Sequence, residues 1–108
     1  VNKYFNEPTE VDGIRFDSKA EARRYEILKN MESLGYIKNL RRQVSYELIP
    51  KLKGRKKTYR ATTYVADFVY ELGGETIVED VKGYMTEVYK LKKKLMLERH
   101  NIEITEVK

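Results

Sequence analysis

Two apolar, β-branched arms joined by Gly73-Gly74 constrain this chain more than any other stretch. The first arm runs Thr63-Tyr64-Val65-Ala66-Asp67-Phe68-Val69-Tyr70 and is followed by Glu71-Leu72. The second runs Glu75-Thr76-Ile77-Val78-Glu79-Asp80-Val81-Lys82 and closes at Gly83. β-Branched and aromatic residues suit a pleated, packed surface, and Gly-Gly supplies the two positive-φ positions of a tight hairpin turn. Centring the turn there sets the register, with Phe68 opposite Glu79, Asp67 opposite Asp80 and Val65 opposite Lys82. Opposed residues share a sheet face, their Cβ atoms roughly 4.5–5.5 Å apart. Two carboxylates so placed repel each other unless a cation lies between them. Lys82, two residues past Asp80, is expected on the same face. The spacing therefore predicts an Asp67, Asp80, Lys82 patch, of the kind that a hard divalent cation and a polarised phosphate require. The alternative is a solvated, charged hairpin end, against which the valines and isoleucine of the arms argue.

A chain of 108 residues is expected to form one domain with one core. Charged residues make up 36% of it and the formal net charge is +5, a balance that favours a polyanionic partner. The absence of cysteine excludes disulfides and thiolate metal sites and leaves the redox compartment open. No apolar run approaches the roughly 20 residues of a membrane span, and the N-terminus lacks a charged-then-apolar secretory pattern. A cytoplasmic protein with no membrane partner is the expectation.

In chain order, Val1 to Glu10 is polar, and Val11 to Phe16 reads as a short hairpin turning at Asp12-Gly13. Residues 1–16 thus form an arm and hairpin ahead of a core spanning 17–108. Ser18 and Glu21 have the spacing of a capping box at a helix start. Tyr25, Ile27, Leu28, Met31 and Leu34 make the apolar stripe, and Gly35 the stop. Glu21 has two compatible readings. It is the capping-box acceptor, and, at about 100° per residue, it points between Tyr25 and Leu28 toward the packed side, from where it could reach the end of a sheet.

Val44, Tyr46 and Leu48 alternate with polar residues as in a half-buried strand ended by Pro50. The segment after it, Lys51 to Lys57, is a basic loop, with Lys53, Arg55, Lys56 and Lys57 the candidates for phosphate contact. A solvated face is the plainer reading of such a run. Gln43 is a candidate for contact with a nucleotide or with the polar network of the site, or else an outward strand residue. After Gly83, Thr86 is a candidate N-cap for a second helix with Val88, Leu91, Leu95 and Met96 on its apolar face. Lys90 and Lys94, one turn apart, are placed to form a phosphate-facing ridge. Ile102 to Val107 alternates as a last strand. The single histidine, His100, excludes a His pair for zinc and, at a helix end, reads as structural. No Ser-His-Asp set or phosphate-cradling Gly-rich loop is present.

The expected order is helix, three antiparallel strands, helix, strand, with the last pair returning by a right-handed crossover. That order, with Asp67, Asp80-x-Lys82 and a preceding helix carrying Glu21, resembles the PD-(D/E)XK nuclease superfamily over about Ser18 to Val107. The runs Phe16-Asp17-Ser18-Lys19-Ala20-Glu21-Ala22-Arg23, Ala66-Asp67-Phe68 and Glu79-Asp80-Val81-Lys82-Gly83 look like a small phage-encoded, Holliday-junction-resolvase-like branch. Ala66 stands where the superfamily's proline would be. The resemblance implies an α/β (α+β) fold with a restriction-endonuclease-like αβββαβ core, a mixed sheet flanked by helices.

It also implies a Mg²⁺-dependent endodeoxyribonuclease, with Mn²⁺ able to substitute, in the host-cell cytoplasm if phage-encoded. Asp67, Asp80 and the Val81 backbone carbonyl would be metal ligands. Lys82 would be the catalytic lysine, and Glu21 the helix-borne acid that completes the site or holds a second metal, directly or through water. The substrate would be branched or duplex DNA in recombination or replication. Two symmetric cuts in a four-way junction would call for a two-fold homodimer. Ile14, Phe16, Tyr64, Phe68 and Tyr70 are candidates either for its interface or for the core. The alternatives are a nicking or end-processing nuclease, or a non-catalytic DNA-binding module on the same fold.

Overall fold

A computed structural model describes residues 9–108. The polar segment expected at 1–10 lies, up to residue 8, outside the described residues. A hairpin opens the described chain: β1 (Thr9–Val11) pairs with β2 (Ile14–Phe16), and Asp12 and Gly13 both take positive φ at the turn, as a two-residue hairpin of this hand requires. Helix α1 (Lys19–Ser33) starts at Ser18, whose Oγ accepts the Glu21 N–H at 3.2 Å. It ends as expected, with Gly35 at φ 85° and the Tyr36 N–H donating to the Met31 carbonyl. Its buried face is narrower than the expected stripe. Ala22, Tyr25 and Leu28 are buried and Met31 is packed beside them, whereas Ile27 and Leu34 are exposed. Ile27 stands about 200° around the helix from Tyr25, on the side away from the sheet.

Strand β3 (Lys38–Ile49) begins well before the predicted alternation. The basic segment is then no loop but a second small hairpin, β4 (Leu52–Lys53) against β5 (Thr58–Tyr59), tied by the Gly54 N–H donating to the Lys57 carbonyl at 2.8 Å. The long arms follow as β6 (Thr62–Leu72) and β7 (Glu75–Val81), with Gly73 and Gly74 at φ 57° and 84°. Their ladder has the predicted register, from Leu72 opposite Glu75 to Phe68 opposite Glu79. Helix α2 (Glu87–His100), capped by Thr86, leads to a short β8 (Thr105–Val107), which pairs parallel with β7.

The result is an α+β arrangement around one four-stranded mixed sheet, ordered β3-β6-β7-β8. Neighbouring residues on a strand face opposite sides, and the two helices cover opposite faces. Phe16, Ala22, Tyr25, Leu28, Phe68 and Tyr70 cluster under α1. Leu48, Val69, Val78, Met96 and Ile104 cluster on the α2 side. Phe16, Tyr64, Phe68 and Tyr70 are therefore core and not available to a subunit interface. On α2, Met96 is buried and Leu95 packed, but Val88 and Leu91 are exposed, contrary to the expected apolar face.

One irregularity of the sheet shapes the site. On β6, Phe68 and Tyr70 belong to the α1 cluster, yet Ala66 and Tyr64, of the same parity, belong to the α2 cluster. On β3, Leu40 packs with the α1 cluster while Val44 and Tyr46 pack with the other. A regular strand keeps one parity on one face, so both strands switch faces between the pairs Arg42–Phe68 and Val44–Ala66. Between those pairs sit Gln43, with φ 51°, and Asp67.

Candidate carboxylate site

The β6–β7 ladder ends at Phe68 opposite Glu79. One step further the strands part, and the Val81 N–H donates to Asp67 Oδ2 at 2.7 Å in place of a backbone acceptor. Asp67 thus sits in the fork where β6 leaves β7. Across β3, Gln43 Nε2 reaches Asp67 Oδ1 at 3.4 Å, an approach made possible by the face switch. From the first turn of α1, Glu21 faces Asp67 closely enough for each carboxyl to alter the other's hold on a proton. Its carboxylate is therefore turned toward the sheet, and of its capping box the bond from its own N–H to Ser18 is formed. The Glu21 side chain follows the sheet-facing reading, and among the described residues no bond from the Ser18 N–H to its carboxylate completes the capping box.

Burial and the neighbouring Asp67 charge push the Glu21 carboxyl up to about 7. Burial likewise raises Asp67, against the pull of the Val81 N–H. Asp80 is raised by burial and by its acidic neighbours Asp67 and Glu106, although its Oδ2 accepts the Tyr64 hydroxyl at 2.7 Å. Three acids from α1, β6 and β7 so share one patch and hold their protons more tightly than free carboxyls do. Among the described residues the cation paired with this patch is Arg42, whose Nη2 lies 3.5 Å from Glu21 Oε2 and whose guanidinium sits 4.4 Å over the Phe16 ring. Its Nε is buried without a partner among the described residues.

Lys82 is not brought to this patch. It takes φ 57° at the end of β7, and no hydrogen bond or ion pair among the described residues joins it to Glu21, Asp67 or Asp80. A left-handed residue breaks the two-residue alternation, so parity with Asp80 no longer fixes its direction. Instead Lys82 lines the cleft beside the start of α1. The remaining candidates are spread out. Lys53, Arg55, Lys56 and Lys57 stand exposed on the β4–β5 hairpin, Lys57 lying 4.7 Å from the Tyr59 ring centroid. Lys90 and Lys94 are exposed on α2, Lys90 held only loosely by Glu87 at 3.9 Å.

Several residues of the site carry no distinguishing sequence signal. Tyr64 reads as an ordinary strand aromatic, and only the face switch aims it at Asp80. Glu106 on β8 accepts from the Tyr89 hydroxyl and from Lys93 Nζ, each at 2.8 Å, so Lys93, not Lys90 or Lys94, is the α2 lysine tied to the rim of the patch. On the opposite face Glu79 is fully buried and receives Arg24 through two bonds of 2.8 and 2.6 Å, together with the Tyr70 hydroxyl. That group locks α1 to β7.

Among the described residues, no three His, Cys, Asp or Glu side chains stand close enough to hold a metal ion as they are. A pair of carboxylates is nonetheless what Mg²⁺ commonly takes from a protein, its other positions going to water and phosphate. Asp67 and Asp80 fit that donor set, with Asp80 Oδ1 free of any donor among the described residues and the Val81 backbone adjacent. The fold and the patch define an α+β protein with a carboxylate cluster at the split end of a mixed sheet. The chain belongs to the family described as "Protein of unknown function (DUF1064)", whose profile matches residues 1–107. No curated protein matches the sequence. No helix among the described residues is long and apolar enough to cross a membrane.

Proposed function

We propose that this protein is a metal-dependent DNA endonuclease on a restriction-endonuclease-like core, selective for branched DNA. The observation that carries the reading is the gathering of Glu21, Asp67 and Asp80, all with raised proton affinity, where β6 and β7 part. A cluster that costs stability on its own calls for a cation to offset it. The element order α1, β3, β6, β7, α2, β8 agrees with the resemblance, as does the Glu21–Asp67–Asp80 set.

In this reading Asp67, Asp80 and the Val81 carbonyl would hold Mg²⁺ or Mn²⁺. When bound, such a cation would supply Lewis-acid activation of water and offset charge on the phosphate. The Val81 N–H and Gln43 fix both Asp67 oxygens in direction, as neighbours that orient a ligand do. The Tyr64 hydroxyl does the same for Asp80. Glu21, titrating near neutrality, is placed to accept a proton at the edge of the patch. Lys82 faces the phosphate chain from the neighbouring cleft rather than from between the carboxylates. The β4–β5 hairpin supplies exposed cations for backbone contact, which sets affinity more than sequence choice. One cluster cuts one strand, so paired cuts in a junction require two copies related by a two-fold axis.

The test is incubation with supercoiled, linear and four-way-junction DNA, with and without Mg²⁺. The expected result is Mg²⁺-dependent cleavage, with paired cuts in the junction. Cleavage of one strand only would favour the nicking enzyme. DNA binding without cleavage under any divalent cation would leave the non-catalytic module.

A further inference from the structure

Beside the carboxylate patch, on the other side of the first turn of α1, lies a cleft of about 420 Å³ between α1 and the ends of β7 and β8. Ser18, Lys19, Ala20, Arg23, Lys82 and Lys108 line it, and no acidic side chain among the described residues does. Arg24 also borders it, with its guanidinium already committed to Glu79. Among the described residues Arg23 and Lys82 make no ion pair. Two such cations beside one open cleft repel each other until an anion enters. Two local details favour such an anion. The positive φ of Lys82 takes its side chain out of the strand's alternation and into the cleft. The start of a 15-residue helix opens onto it, where the Ala20 N–H has no acceptor among the described residues and the helix dipole favours negative charge.

We infer that this cleft is a phosphate-binding subsite for a nucleic-acid backbone, holding a phosphate next to the one attacked at Asp67 and Asp80. The inference rests on the nuclease reading for its choice of nucleic acid, and on the cleft alone for its choice of phosphate. The two sites are joined through covalent neighbours. Val81 borders the cleft while its N–H holds Asp67, and Ser18 borders it while its Oγ holds the Glu21 N–H. A strand laid across the sheet end would so meet cations on one side of Glu21 and carboxylates on the other. Glu79 cannot compete for the bound anion's partners, because Arg24 and Tyr70 enclose it.

The experiment uses two probes on metal-free protein. Inorganic phosphate is titrated while the backbone amide resonances are followed, in the wild type and in a variant carrying Arg23→Gln and Lys82→Gln. Saturable shifts at Ala20 and Lys82, with affinity at least about tenfold weaker in the variant, are expected from the removal of two charge-assisted hydrogen-bond donors. Absent shifts, or equal affinity in the variant, overturn the subsite. The second probe is a single-stranded oligonucleotide whose binding is measured against salt. Arg23→Gln alone should reduce the slope of log K on log salt by about 0.7. An unchanged slope with phosphate still bound in the cleft overturns the nucleic-acid assignment. Oligonucleotide binding that shifts neither Ala20 nor Lys82 overturns the cleft and leaves the nuclease reading standing. Because neither probe requires cleavage, a catalytically silent protein that passes both supports the subsite while the nuclease reading falls.

Discussion

Glu21→Gln should make the metal-free protein more stable, and only above the ordinary carboxyl range. Glu21 is raised from 4.5 to about 7 by burial and by Asp67. Between those two values the folded protein keeps a proton that the unfolded chain has released, so stability falls as pH rises through the window. At about 1.4 kcal/mol per pH unit the loss approaches about 3 kcal/mol by pH 8. That is a ceiling, because Asp67 shares the proton. The Glu21 side chain is only 12% exposed, so solvent screening removes little of it. Glutamine is neutral throughout, keeps a donor for Asp67, and leaves the Ser18 cap intact, since that bond uses the backbone N–H. The assay is urea denaturation with chelator at several pH values from about 4 to about 8, a range that brackets both ends of the titration. The two proteins should be nearly equal at the acid end, and the variant should lead by up to about 3 kcal/mol at the alkaline end. Millimolar Mg²⁺ should stabilise both proteins, which share Asp67 and Asp80, and should narrow the lead because an ionised Glu21 adds favourable charge beside the cation only in the wild type. A difference that does not change with pH would show that Glu21 is not a titrating member of the patch.

On the opposite face, Arg24→Met strands a buried Glu79 charge and should cost about 3–5 kcal/mol. Tyr70→Phe, which removes one donor and leaves Arg24 in place, should cost about 1–3 kcal/mol; denaturation midpoints of both variants check the order. Neutralising Lys53, Arg55, Lys56 and Lys57 together should weaken binding to every duplex tested. It should also flatten the salt slope by up to about 0.9 for each phosphate that is no longer neutralised; an unaltered slope would mean that the β4–β5 hairpin points away from the DNA.

Much of this architecture is legible in the residues because local chemistry and tertiary structure agree. Gly73-Gly74 admits few turns, and the β6–β7 register follows from it down to Phe68 opposite Glu79. Ser18 and Gly35 bracket α1 for equally local reasons. The carboxylates are legible in part, since register brings Asp67 and Asp80 to the same end of the hairpin and helical angle aims Glu21. The ladder nonetheless stops at Phe68 opposite Glu79, and the expected direct pairings of Asp67 with Asp80 and Val65 with Lys82 do not form. What escapes depends on events without a local signal. A regular period of two cannot announce that β3 and β6 change face at Gln43 and Asp67, and Tyr64 reaches Asp80 only because they do. Parity alone places Lys82 beside Asp80, and its left-handed backbone breaks that parity. Glu79 reads as one more charged strand residue because its partners, Arg24 and Tyr70, come from 55 and 9 residues away. The basic segment carries its charge in plain view but not its pairing, which rests on a two-residue ladder and one turn bond.

The most direct measurement is the conversion of supercoiled DNA by the wild type, Asp67→Asn and Asp80→Asn, assayed side by side with Mg²⁺ and with chelator, with DNA binding recorded in the same preparations. Mg²⁺-dependent cleavage by the wild type is expected, with a loss of at least about a hundredfold in each variant while binding is retained. Cleavage that survives intact in Asp80→Asn, or a folded, DNA-binding wild type that cuts nothing with any divalent cation, would contradict the metal-dependent nuclease.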